Sequence, residues 1–139
     1  MLPCHEVFLD SRTRRRFDEQ LEHVLGTLPP WVIDLIDRVP LHVEDYPSAE
    51  VMVRMGIHDR RQLCGLYTGI PLTERSVQHS GTLPDVVTIY REGVLASAAD
   101  ALGRIRTNRL RREIRITLLH ELAHHHGLDE DELRDLGYG

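Results

Sequence analysis

His120-Glu121-Leu122-Ala123-His124-His125-His126-Gly127-Leu128-Asp129-Glu130 is the stretch from which the rest of this chain is read. Its first five residues are a complete H-E-x-x-H. An α-helix turns once per ~3.6 residues, so residues four apart stack on one face. His120 and His124 can therefore aim two imidazole nitrogens at one point, where Zn²⁺ would stand ~2.0–2.1 Å from each. Glu121 is beside that pair and suits a different task, drawing a proton from water at the metal as a general base. The pattern points to metal-assisted hydrolysis of peptide bonds.

Three fixed residues in a chain with nine histidines are weak support alone, so the flanks matter. Upstream, Leu110, Ile114, Leu118 and Leu122 recur every four residues, with Thr117 and Glu121 on the adjoining stripe; this is the pattern of a buried helix. Thr107 or Asn108 offers an N-cap and Gly127 a left-handed end, which predicts a helix from about Thr107 to His126. Downstream, H-E-x-x-H-x-x-G-x-x continues to Glu130. The glycine lets the chain turn back, so Glu130 falls where a third ligand is wanted and completes a His₂Glu set. Asp129 is the alternative. His125 and His126 point about 100° and 200° around the helix from His124 and are expected to hydrogen-bond behind the ligands, pack against the sheet or face solvent rather than bind the metal. The methionines, Met1, Met52 and Met55, all precede the motif, so no Met-turn follows it.

The 139 residues suit one domain, 1–139, and 41% apolar content is enough for one core. A net charge of −5 gives the whole chain no reason to seek nucleic acid or anionic membrane. The start of the chain lacks the apolar run of a signal peptide, and no stretch reaches the length of a membrane span. Cys4 and Cys64 stand far apart and do not make a disulfide framework, so a reducing cytoplasm is expected. All 17 basic residues are Arg, which removes lysine chemistry from consideration.

Outward from the motif, Phe17, Leu21, Val24 and Leu25 form a helical stripe capped by Asp10 or Ser11 and stopped by Gly26. Arg12 and Arg14 to Arg16 are expected on a solvated face. Pro29-Pro30 opens a helix through Val39 with Trp31, Ile33, Leu35 and Ile36 apolar. Leu41 to Tyr46 alternates like a strand, and Pro47-Ser48 starts a short helix containing Val51, Met52 and Met55. Cys64 to Thr68 reads as a brief strand, Gly69 to Ser76 as a turn and surface segment, and His79 as an exposed loop residue. Val86 to Arg91 is the clearest strand, broken by Gly93, and its edge is the expected place for an extended substrate to pair. A helical connector spans Val94 to Gly103 with Leu95, Ala98, Ala99 and Leu102 inward, and a last turn ends near Leu136. The arginines Arg104, Arg106, Arg109, Arg111, Arg112 and Arg115 spread around a helix without aromatic residues between them, as a solvated surface does.

Gly65-Leu66-Tyr67-Thr68-Gly69-Ile70-Pro71-Leu72-Thr73-Glu74-Arg75, then Leu83-Pro84-Asp85 leading to Thr88-Ile89-Tyr90-Arg91, then His120-Glu121-Leu122-Ala123-His124-His125, resembles the small bacterial zincin-like metallopeptidases, or minimal zincins. The likeness runs from about Arg14 to Leu136. It implies an α+β fold with a small mixed sheet packed on helices, the active-site helix near the C-terminus, and no lower subdomain. It also implies one Zn²⁺ on His120 and His124 with an acidic third ligand after Gly127, Glu121 as base, and a peptide or protein substrate. Glu130 stands where this family more often has Asp. Tyr67 or Tyr138 is a candidate to assist the oxyanion. The rival expectations are a metal-dependent endoribonuclease and a zinc-binding regulatory module with little turnover.

Overall fold

The computed structural model describes residues 9–69 and 85–126. Glu130, Asp129, Gly127, Tyr138, His79, Cys4 and the predicted last turn lie outside the described residues, as do the side chains of His125 and His126. In chain order the elements are α1 (Ser11–Leu25), α2 (Pro30–Arg38), β1 (Leu41–Glu44), α3 (Ala49–Met55), a 3₁₀ turn (Arg60–Gln62), β2 (Gly65–Thr68), β3 (Val86–Tyr90), α4 (Arg91–Ala98) and α5 (Thr107–His126). The sheet has the order β1-β3-β2, with β1 parallel and β2 antiparallel to β3. The fold is therefore α+β with a small mixed sheet. No helix of the described residues is long and apolar enough to cross a membrane.

The core forms where the sequence stripes converge. Phe17, Leu21 and Val24 of α1 meet Leu110, Ile114, Leu118 and Leu122 of α5, with Val87 and Ile89 of β3 and Val94 and Leu95 of α4 in the same cluster. Burying each such side chain contributes roughly 1.5–3 kcal/mol. Asp10 caps α1 by accepting the Thr13 N–H at 2.8 Å. Ser48 caps α3 by accepting the Val51 N–H, and left-handed Gly56 ends that helix. α1 and α5 run side by side in the same sense. Arg16 donates to the Ile105 carbonyl at 2.6 Å, Arg111 to Gln20 at 2.7 Å and Arg115 to Thr27 at 2.9 Å.

Several expectations are corrected by tertiary contacts. The first strand ends at Glu44 rather than Tyr46, because Asp45 leaves the ladder. Its carbonyl accepts the Glu92 N–H, and its carboxylate takes Arg14 and Arg91. Arg14 is thus an ion-pair partner, not part of a solvated face. Gly93 does not break anything: α4 starts directly after β3, and Gly93 lies inside it, buried against the Leu63–Cys64 backbone where a Cβ would overlap the Leu63 carbonyl. The connector stops at Ala98, and Leu102 is exposed in a turn whose N–H groups Asp100 accepts. In α2 the residue that enters the core is Val32, while Trp31 and Ile33 are 42% and 39% exposed. Finally, β3 is the central strand, paired on both sides, so it has no edge to offer a substrate.

Candidate metal centre

α5 carries the motif and is anchored along its inner face. Leu110, Ile114 and Leu118 are fully buried and Leu122 nearly so, with Thr117 and Glu121 buried beside them. Helical phase then decides the rest. With the leucine stripe inward, His120 and His124 emerge toward solvent and Glu121 sits at the boundary. The helix begins at Thr107, whose neighbour Arg106 supplies the first accepting carbonyl, to Leu110 N–H; Thr107 is the first helical residue rather than a cap ahead of it.

The structure brings His120, Glu121 and His124 together, with one ligand atom from each lying within 4.8 Å of the others. The two imidazole rings stand 4.5 Å apart, centroid to centroid, at 63°. His124 Nδ1 lies 3.5 Å from Glu121 Oε2. Two nitrogens on one tetrahedral zinc stand about 3.4 Å apart. The half-exposed His124 side chain has room to close that difference by rotation, so the donor set fits a zinc ion. Two imidazoles on one helix face are also donors that zinc prefers.

Glu121 is the unusual member. Its side chain is nine-tenths buried, and this desolvation pushes its carboxyl above the ordinary value of 4.5. The nearby His120 and a hydrogen bond from the Tyr67 backbone N–H oppose that rise. The Tyr67 bond follows from strand geometry. Tyr90 N–H donates to the Cys64 carbonyl, so Cys64, Leu66 and Thr68 direct their backbone groups to β3. Gly65 and Tyr67 then turn theirs to the outer edge of β2, and there Tyr67 meets Glu121.

β2 can lie this close to α5 because its first residue is glycine. A Cβ on Gly65 would stand 2.8 Å from Thr117 Cγ2 and 3.1 Å from Glu121 Cγ. The Tyr67 hydroxyl donates to Asp85 Oδ1 at 3.0 Å. It is the main chain of Tyr67, not its phenol, that reaches the base. Sequence reasoning missed both the main-chain contact and the Gly65 approach. A glycine opening a strand was the available signal, since it marks a place where something packs against the backbone. Cys64 is half-buried with its thiol 3.3 Å from Ser97 Oγ, and burial raises its pKa.

A family model described as zincin-like metallopeptidase matches residues 36–139. No curated protein matches the chain. The matched region begins within α2, later than the likeness read from Arg14 onward. It leaves out α1, although α1 supplies Phe17, Leu21 and Val24 to the core.

Proposed function

Since the chain belongs to the zincin-like metallopeptidase family, we propose that it hydrolyses peptide bonds at the His120–Glu121–His124 centre, with Glu121 as general base. The observation that carries this reading is the buried Glu121 carboxylate beside the two imidazoles of one helix, 3.5 Å from His124 Nδ1. His120 and His124 would hold Zn²⁺, with Glu130 as the third ligand and Asp129 as the alternative. Bound zinc supplies Lewis acidity that polarises a carbonyl and acidifies water.

The chain's own groups do the rest. Glu121 takes the proton of the attacking water on a carboxylate oxygen and returns it to the leaving amine. Its raised pKa helps the first transfer, because a carboxylate that holds a proton more firmly removes it from water more readily. The Tyr67 N–H fixes the carboxylate's position while leaving its other lone pairs available. Among the described residues β2 pairs only with β3. Its outer edge, alongside Glu121, is where an extended peptide would add as a strand.

The test is incubation of zinc-loaded protein with casein and a mixed peptide library, with and without chelator, beside structured RNA. Chelator-sensitive cleavage of peptide bonds, and none of RNA, is expected. Stoichiometric zinc without cleavage of any peptide would leave a binding module in its place.

A further inference from the structure

The arginine cluster of α5 is divided by tertiary packing. Arg111 and Arg115 turn toward α1, where they donate to Gln20 and Thr27. Arg104 pairs with Asp100 at 3.6 Å. Arg106, Arg109 and Arg112 are exposed and make no ion pair among the described residues. Arg106 does lie in electrostatic reach of Asp100, whose carboxylate is already occupied by Arg104 and by two backbone N–H groups.

Two of these cations line up with the metal centre, while Arg112, eight residues before His120, stands about 80° to the side of it. Eleven residues are three helical turns plus about 20°, and eighteen are five full turns. Arg109 therefore shares the face of His120, and Arg106, the residue just before α5, falls near that of His124. The burial pattern agrees: Arg106, Arg109, Arg112 and His124 are exposed and Glu113, Ile116 and His120 partly so, while the leucine stripe opposite is closed. Glu113 is the only carboxylate on the stripe between Arg106 and His120, and it is half-covered near Cys64. At ~1.5 Å rise per residue, Arg112, Arg109 and Arg106 precede His120 by roughly 12, 16 and 21 Å along the axis.

We propose that this stripe is an extended subsite for acidic polypeptide substrates. It would take Asp or Glu side chains about four to six residues from the bond cut, given ~3.3 Å per residue in an extended chain. The inference rests on the peptidase reading of His120, Glu121 and His124. Unpaired guanidinium groups on a protein of net charge −5 form a local positive row that carboxylates complement. A polypeptide is favoured over nucleic acid because the three arginines lie on one exposed side of a single helix, lead toward His120, and have no Phe, Tyr or Trp among them to stack a base.

The experiment compares two peptide sets sharing one central segment, with Asp/Glu or Asn/Gln placed four to six residues to either side. The zinc-loaded protein and Arg106→Gln/Arg109→Gln/Arg112→Gln are assayed for cleavage, and direct binding is followed by fluorescence anisotropy. Each exposed pair is weak, so three together should lower KM for the acidic set by about five- to twenty-fold at low ionic strength. That preference should largely vanish near 0.5 M salt and in the triple variant, whose fold is checked by circular dichroism. Equal handling of acidic and neutral peptides, or a preference that survives the variant, would overturn the proposal. So would tighter binding of a DNA or RNA duplex of equal charge. If nothing is cleaved but acidic peptides bind through the arginines, the peptidase reading fails and the acidic-ligand surface stands; if nothing binds, both fail.

Discussion

Gly65 and Thr117 touch so closely that a Cβ on the glycine would stand 2.8 Å from the threonine Cγ2. This contact sets the distance between β2 and α5, and with it the position of the Tyr67 N–H against Glu121. Gly65→Ala should destabilise the protein by about 1–3 kcal/mol through overpacking and lower hydrolysis by more than stability alone accounts for. Part of the strain is against the Thr88 carbonyl, 3.2 Å from the same Cβ, which cannot move without moving β3. Thr117→Ser removes the methyl and should partly rescue Gly65→Ala. A double-mutant cycle in urea checks this; strictly additive effects would disprove the coupling.

Glu121→Gln should retain zinc and lose hydrolysis, because the amide has no basic oxygen for the proton. Elemental analysis and a peptide assay on one preparation separate the two effects. Loss of zinc in this variant would reassign Glu121 from base to ligand.

The same residue predicts a pH effect on the metal-free protein. Burial raises the folded-state pKa of Glu121 above 4.5, so its contribution to stability is present below the unfolded value and is lost as pH rises through the folded one. With chelator present, Glu121→Gln should therefore be more stable than wild type at neutral pH and converge with it near pH 4. Urea midpoints across that range measure the difference.

Metal content should fall at least tenfold in His120→Ala and His124→Ala at sub-stoichiometric free zinc, since a site with one imidazole is a weak one. Glu130→Ala beside Asp129→Ala decides the third ligand: the first should lose metal and the second keep it. Equal retention in both would remove the acidic ligand from the centre.

Asp45 joins α1 to the start of α4. Hydrogen bonds from Arg14, and then from Arg91, hold its carboxyl below the usual 3.8. A lowered pKa contributes stability that is present above 3.8 and is lost as pH falls through the folded value. Asp45→Asn should cost about 1 kcal/mol at pH 7 for these partly exposed pairs. The gap should narrow as pH falls below 3.8, which chemical denaturation over pH 2.5–7 would show.

Phe17→Ala should cost about 3–5 kcal/mol, although α1 lies before the region matched to the family. Phe17 is fully buried against the cluster that includes Leu110, Ile114 and Leu118. A thermal midpoint unchanged by this substitution would mean that α1 is dispensable to the fold.

Helical phase was legible in the residues themselves. The spacing of Leu110, Ile114, Leu118 and Leu122 placed the buried face of α5, and with it the direction of His120 and His124, because periodicity and burial are both local consequences of 3.6 residues per turn. The Asp10 and Ser48 caps were legible for the same reason. Contacts between residues distant in sequence were not. That β3 is central and β2 an edge strand among the described residues depends on which strands pair. That Gly93 packs inside a helix depends on the Leu63 backbone 30 residues before it. That Arg14 and Arg91 share Asp45, and that the α5 arginines divide between α1 and solvent, likewise depends on the tertiary arrangement. The motif alone nominated Glu121 as a base; its burial and the Tyr67 N–H that holds it come from Gly65 letting a strand and a helix approach within van der Waals contact.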